Sequence, residues 1–380
     1  GGPARGPWRA AVAPPLASRA SLSAFHIYRP KVRSRYNGLM RGGRPRAASS
    51  STRRWRVIAG NAGLYLLTML ALVTLVFFLP RALPGDPLAT LLDPESGLTF
   101  SDEARAELEA HYGLDRPIGE QYVRYLGNAV TLDFGWSISR QTVVSGLIAA
   151  RLPWTLLLMG TALLLSAAIS WVVGVASAWR RGSIGDRGAV TVLTLLRAVP
   201  DFALAAALLV LFAVVIPVFP VAGNRTVFAE YSSWFYELTD VAHHFVLPAS
   251  ALTLSLIGTK FLLVRNTVIG SLGQDYMVMA RAKGLPSSVQ KYRHADRNAL
   301  LPFITLLGVQ IGFAVGGTIF VEEVFTYPGM GTLILDAVEA RDYPLLEALF
   351  LVLAATVLVA NLTIDLLYTW IDPSTARTGR

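Results

Sequence analysis

Arg197 and Asp201 stand four residues apart in an otherwise apolar stretch, Lys260 interrupts a second such stretch, and Asp365 follows Asn361 by four in a third. Ionisable groups inside long apolar runs are costly in lipid, so they face protein or water and are candidates for lining or gating a transport pathway. Blander roles compete. At helical i,i+4 spacing Arg197 and Asp201 can neutralise each other, with Pro200 freeing a carbonyl and kinking the helix between them. Lys260 can snorkel its ammonium to a membrane surface, and Asp365 with Asn361 can hydrogen-bond within or between subunits. His243 and His244 point apart if helical, and no other His or Cys lies near in sequence, so no metal site is expected. With no cysteine in 380 residues, thiolate sites, disulfides and cysteine nucleophiles are excluded. None of Lys31, Lys260, Lys283 and Lys291 is preceded by Gly and followed by Ser or Thr. The loop that cradles nucleotide phosphates is therefore absent. No constellation for an intramembrane enzyme falls at one depth either, so no catalytic residue is expected.

The elements that carry these residues follow from composition. The chain is 53% hydrophobic and 16% charged, against about 25% charged in soluble domains, and its mean hydropathy is +0.48. Long uncharged runs point to an all-α polytopic membrane protein. A span takes about 20 apolar residues, and six are expected: 57–80, 152–179, 188–221, 245–264, 299–321 and 348–371. The net charge of +9 is concentrated in residues 1–56, which hold 13 of the 34 Lys and Arg and no acid. That segment reads as a disordered basic arm with its first methionine at Met40; an organellar presequence is the alternative for the same composition, and whether residues 1–39 are native stays open. Nucleic-acid binding is not implied, because a tail and not a groove carries the charge.

Lys and Arg number 24 in the segments that would face the cytoplasm and eight in those that would face outward, which predicts both termini inside. Residues 57–151 then comprise the first span and an external insertion between helices 1 and 2. Within it Ser101 is placed to cap an amphipathic helix with Asp102 and Glu103 in its first turn. Residues 152–373 form the core, and 374–380 a short tail. Gly308, Gly312, Gly316 and Gly317 offer a small-residue face in the fifth span for close helix approach. Glu322, Glu323, Asp336, Glu339 and Asp342 make the outer mouth acidic, through solvation or for a basic partner.

The inner loop 271–302 is the most informative segment. It reads Gly273-Gln-Asp-Tyr-Met-Val-Met-Ala-Arg-Ala-Lys-Gly284-Leu-Pro and then Lys291-Tyr-Arg-His-Ala-Asp-Arg-Asn-Ala-Leu-Leu-Pro302. Ala280 and Ala282 permit close approach, Gly284 suits a left-handed helix terminus, Pro286 prevents continuation, and Arg281 and Lys283 complement the dipole. A short helix of this kind can lie on the inner face and dock into a groove of a soluble partner.

This loop strongly resembles the coupling loop of ABC importer permeases of the dipeptide/oligopeptide/nickel branch. The resemblance extends over 57–373 through Leu83-Pro-Gly-Asp-Pro87, Tyr112-Gly-Leu-Asp-Arg-Pro117, Leu132-Asp-Phe-Gly135, Glu322-Glu-Val-Phe-Thr-Tyr-Pro-Gly-Met-Gly331, Asp342-Tyr-Pro344 and Asp372-Pro373. The spacer Met277-Val278-Met279 and the acidic Asp296 depart from the family pattern. The resemblance implies a type I importer transmembrane fold forming half of a pathway for peptides, with nickel or oligosaccharide as other family substrates. It also implies a second related permease, two ABC ATPase subunits that bind ATP and Mg, and an extracellular substrate-binding protein, all assembled in a bacterial inner membrane. Asp275, Tyr276, Ala280, Arg281, Ala282, Lys283, Gly284 and Leu285 are the expected ATPase-coupling residues. The rival from another class is a standalone ion-coupled secondary transporter, supported by Arg197, Asp201 and Asp365 alone.

Overall fold

A computed structural model of the chain describes residues 50–82, 88, 101–312 and 316–371, with side-chain surroundings for 63, 65–82, 88, 101–311 and 317–363. The chain falls into two units, 1–60 and 61–380, and the packing below is that of the second. Most of the basic arm, Leu83–Pro87, Asp372-Pro373, the tail and the Asp365 side chain lie outside the described residues.

Helix α1 (Ser50–Ala82) leads to α2 (Asp102–Tyr112) and α3 (Ile118–Thr131). Then come α4 (Val144–Trp179), α5 (Ile184–Ala198) and α6 (Asp201–Leu209), the last continuing as a π turn over Val210–Val215. Helices α7 (Trp234–Leu272) and α8 (Asp275–Ala282) are followed by a single turn, α9 (Ser287–Val289), and a π turn over Gln290–Ala295. The chain ends with α10 (Arg297–Gly312), α11 (Ile319–Val324), α12 (Met330–Glu339) and α13 (Tyr343–Ile371). Among the described residues all regular structure is helical, apart from one isolated bridge between Trp136 and Val143.

Among the described residues four helices are long and apolar enough to cross a bilayer: Tyr65–Ala82 within α1, α4, α7, and Tyr343–Thr363 within α13. They correspond to the first, second, fourth and sixth expected spans. The third is broken: α5 and the α6 segment meet at a bend of 102°. Pro200 has no N–H and drives the preceding residue out of the helical region, and Val199 is extended at φ −83°, ψ 128°. The expected Arg197–Asp201 helical pair is lost with the helix. Asp201 instead accepts from the Phe202 N–H at 2.9 Å. The fifth span is short, because α10 stops at Gly312 and Gly316–Thr318 forms a separate 3-10 turn. Gly308 and Gly312 therefore lie in α10 and Gly316 and Gly317 in the 3-10 turn, and the four do not form one continuous α-helical face.

The core is built on α4 and α7, which run parallel. Leu158 and Ala162 of α4 share a cluster with Leu247, Ala249, Ala251 and Leu252 of α7, and Val175 and Ala178 share one with Val264 and Val268. Between these clusters Ser170 Oγ donates to the Ile257 carbonyl at 3.0 Å. A Cβ on Gly174 would sit 3.0 Å from the Val264 side chain, and one on Gly258 only 2.5 Å from the Leu193 carbonyl oxygen of α5. The close-approach glycines are therefore Gly174 and Gly258.

At the other end of α4 the sequence motifs tie the subdomain to the core. Ser101 caps α2 as expected, accepting from the Ala104 N–H at 3.2 Å. Tyr125 of α3 packs with Val73, Val76 and Phe77 of α1 and Leu351 of α13. Arg81 pairs with Glu347 of α13 and reaches Gln121 of α3 at 3.1 Å. Asp342 is fully buried and accepts from Ser137 Oγ (2.5 Å), Ser139 N–H (2.9 Å) and Oγ (2.8 Å), and from Leu345 N–H (3.1 Å) in the first turn of α13. Glu322, also fully buried, accepts from Thr155 Oγ1 at 2.7 Å and from Gly331 N–H at 2.6 Å, while Thr155 takes the Met330 N–H at 2.7 Å. A Cβ on Gly329 or Gly331 would fall 2.2 and 2.7 Å from that carboxylate. The two glycines of the Glu322–Gly331 motif thus make room for the anion that caps α12.

The tight α5–α7 crossing gives a direct test. Gly258→Val places its side chain against backbone and should lower the thermal stability of the detergent-solubilised protein by about 1–3 kcal/mol. Gly270→Ala, in α7 with nothing within 4 Å of its Cβ, should not lower it and by helix propensity should raise it by up to about 1 kcal/mol. Heating followed by fluorescence-detected gel filtration reads the difference.

Candidate coupling surface

Helix α8 sits at the α7 C-terminus after the two-residue break Gly273-Gln274. It ends as the sequence predicts: Gly284 adopts φ +68°, its N–H donates to the Arg281 carbonyl at 2.9 Å, and Leu285 N–H donates to Ala280 at 3.3 Å. That left-handed position is strained for any residue with a Cβ. Pro286 then starts α9.

Three-residue spacing puts Met277 and Ala280 on one buried face. Met277 is fully enclosed in the cluster formed by Val175, Ala178, Val264, Val268, Ala295, Ala299 and Phe303. The unusual spacer residue is therefore the anchor of the helix. Asp275, Tyr276, Val278, Met279, Arg281, Ala282, Lys283 and Gly284 are exposed, and Leu285 is half-buried. Asp275, Val278, Met279 and Ala282, at i, i+3, i+4 and i+7, share the opposite face. Val278 and Met279 are 59% and 58% exposed, so an apolar strip lies uncovered at the end of the bundle. Tyr292, 62% exposed with Lys291 Nζ 4.6 Å over its ring, adds an aromatic group from the following π turn. Sequence reasoning missed Tyr292, whose exposure in a basic loop carries no periodic signal.

Polar ties hold α8 on two sides. Asn298 Nδ2 of α10 donates to Tyr276 Oη at 2.7 Å, and Arg281 Nη2 donates to the Leu272 carbonyl of α7 at 3.2 Å. Nearby, Asp186 at the start of α5 accepts from Arg265 Nε at 2.7 Å and Nη2 at 2.9 Å, and from Gly182 N–H at 2.8 Å. That brace fixes the α4–α5 turn to α7.

The remaining expected residues do not join this surface. Arg197 is exposed at the α5 terminus and Asp201 is half-buried beyond the bend. Lys260 is fully enclosed between α4 and α7 and donates to Ser166 Oγ at 2.8 Å, with no route to a membrane surface. His243 and His244 diverge: His243 Nε2 meets the Val218 carbonyl at 2.7 Å, and His244 Nδ1 meets that of Asp240 at 2.9 Å. No cluster able to hold a metal occurs among the described residues.

The family model of the binding-protein-dependent transport system inner membrane component matches residues 170–377, which takes in α8 and all the helices packed around it. The chain belongs to this family. A Brucella ovis protein provisionally named a peptide permease is 39% identical over 80% of this chain and 94% of its own length. The oligopeptide transport system permease protein AppB of Bacillus subtilis is 38% identical over the same shares. The glutathione transport system permease protein GsiC of Escherichia coli is 33% identical over 81% of this chain and 94% of its own. As a family member the chain is the permease subunit of a binding-protein-dependent importer and not its ATPase, in keeping with the missing phosphate-binding loop.

Asp296, the second departure from the family pattern, lies beside this surface, 8% exposed. Burial raises its pKa above the ordinary aspartate value, and its own and Arg297's backbone N–H groups and Lys291 offset this only in part. A carboxyl with a raised folded pKa stabilises the fold least when ionised. Its contribution is therefore lost as pH rises from the ordinary value, about 3.9, through the folded one. Asp296→Asn should remove that slope, raising the melting temperature at pH 8 relative to the parent and leaving it unchanged at pH 3.5, as followed by tryptophan fluorescence in detergent.

Proposed function

We propose that this permease forms half of the translocation pathway of a peptide importer in a bacterial inner membrane, crossing it six times with both termini in the cytoplasm. The broken α5–α6 pair serves as the third crossing, and α10 with the segment leading to α11 as the fifth. The excess of Lys and Arg in the inward segments supports the orientation. The substrate class rests on the relatives, whose names specify oligopeptide and glutathione transport.

The observation that carries the coupling role is the anchored, outward-facing α8. One face is buried through Met277 and Ala280, and the other leaves Val278 and Met279 open. An apolar strip flanked by Arg281 and Lys283 fits a groove on a soluble partner, and the ATPase pair is that partner. Asp275, Tyr276, Ala280, Arg281, Ala282, Lys283, Gly284 and Leu285 form or hold this contact. ATP and Mg reside on the partner subunits, a second related permease completes the pathway, and an extracellular binding protein delivers substrate at the end marked by α2, α3 and α12. Arg197 and Asp201, at the exposed bend, are assigned to the pathway wall, whereas the enclosure of Lys260 supports gating only through α4–α7 packing.

Mild-detergent purification of the tagged chain from its own membrane should recover a related permease and ATPase subunits, with vanadate-sensitive hydrolysis in the eluate. Recovery of the chain alone, moving solute in ATP-free liposomes under an ion gradient, would instead establish a secondary transporter. Gly284→Val, which forces a β-branched residue into the left-handed region at a cost of about 1–3 kcal/mol, should reduce recovered ATPase roughly tenfold or abolish ATP-dependent peptide uptake. Gly185→Ala, in open space on α5, should alter neither.

A further inference from the structure

We propose that the hydrogen bond between Tyr276 of α8 and Asn298 of α10 is the strut that transmits displacement of α8 to the membrane helices, making both positioning residues for transport. This rests on the coupling role assigned above to α8.

The grounds are mechanical. Non-helical junctions bound α8 on both sides: the Gly273-Gln274 break from α7, and Gly284-Leu285-Pro286 before α9. The backbone alone therefore does not fix its angle to the bundle. Its remaining attachments differ in kind. Met277 and Ala280 make apolar contacts, which are non-directional and tolerate sliding. Arg281 reaches the Leu272 carbonyl, the last residue of α7, so it ties α8 to the helix it already follows in sequence. Tyr276 to Asn298 is different, a 2.7 Å bond across 22 residues of sequence to the second residue of α10. Hydrogen bonds weaken steeply with distance and misalignment, so a pull on α8 reaches α10 through this bond before the Met277 contact opens. Asn298 acts at the end of α10, where a lateral displacement turns the helix with the longest arm. The adjoining Ala299 and Phe303 pack in the same cluster as Met277, and α10 in turn lies on α7 and α13.

The carboxamide N–H donates and the phenol oxygen accepts. An aspartate at 298 reverses the polarity, because the phenol O–H can then donate to the carboxylate. Leucine removes the bond and keeps the volume.

The experiment uses the whole importer complex in proteoliposomes, with peptide uptake and ATP hydrolysis measured together. Asn298→Leu, outside the coupling surface, should assemble with the ATPases in normal amount and hydrolyse ATP within about twofold of the parent, and Tyr276→Phe is read only as the ratio in the complexes that assemble. Peptide moved per ATP should fall by about two- to tenfold, the range of one net hydrogen bond. The double variant should fall no further than either single change, and Asn298→Asp should restore most of the ratio. Unchanged peptide per ATP in Tyr276→Phe would overturn the strut. So would loss of ATPase from the purified Asn298→Leu complex, which would place Asn298 in the docking surface, or additive losses in the double variant. Failure of the parent chain to recover any ATPase would overturn the function proposed above, and is scored before any variant is made.

Discussion

The largest helix contact among the described residues, that between α4 and α7, seats α5, α6, α8 and the segment after α11. Lipid gives apolar helices little reason to associate, so close backbone approach and interhelical hydrogen bonds have to hold them together. Ala162, Ser166, Ser170, Gly174 and Ala178 recur every four residues along α4 and are all buried. Through them α7 comes near enough for Ser170 to bond the Ile257 backbone and for Lys260 to reach Ser166. The same seam then receives its neighbours. Gly258 admits α5, Leu158 and Leu247 carry Phe325 and Tyr327 of the segment after α11, and Val175 with Val268 holds Met277 of α8.

The two ends of the seam are secured by different chemistry. At the subdomain end, Glu322 and Asp342 are buried carboxylates whose donors are hydroxyls and the first N–H groups of α12 and α13. Helix starts carry partial positive charge and unpaired donors, so each anion and each helix terminus satisfies the other. Removing either partner leaves a buried orphan, which makes this end rigid. At the α8 end the buried anion Asp186 is met by Arg265 instead, and α8 itself lies outside that brace, suspended by apolar contacts and two side-chain bonds. The relay proposed for α8 fits this attachment.

Much of this was legible in the sequence where one residue type dictates local geometry. Uncharged runs specify α1, α4, α7 and α13, Ser101 marks the start of α2, and Gly284 with Pro286 marks the end of α8. Pro200 announced an interruption, but a kinked span and a 102° bend share the same local sequence; the difference lies in tertiary packing against Gly258. Gly316 and Gly317 extend the small-residue face of α10 only if they are α-helical, and they lie in a 3-10 turn. Motifs were visible while their causes were not. Gly329 and Gly331 are explained by a carboxylate at Glu322, and Asp342 by serines 203 and 205 residues away. Met277 looked like a deviation because burial cannot be read from a short loop. Tyr276 and Asn298 sat in two familiar blocks with nothing in their spacing to join them.

The distribution of helix breaks bears on how such a subunit changes shape. Intact helical ladders resist bending, whereas prolines, π turns and glycine-rich interruptions supply sites where backbone bonds are already rearranged. In α4 the one internal proline, Pro153, is near the subdomain end, and in α7 the buried Pro248 lies between Leu247 and Ala249, which share a cluster with Leu158. From Leu158 to Ala178 on one side and Leu252 to Val268 on the other, the seam contains no proline. The breaks gather in its neighbours: Val199-Pro200 and Val210–Val215 in the α5–α6 arm, Gln290–Ala295 before α10, and Gly316–Thr318 after it. The rearranged backbone ladders thus lie in the α5–α6 arm and around α10, and the α4–α7 spine between those limits has none. Of these two, α10 alone is bonded to α8 by a side chain among the described residues. On the strut proposed above, force arriving at α8 enters the bundle through a 16-residue helix preceded by a π turn and followed by a 3-10 turn, a helix with few intact ladders to disturb.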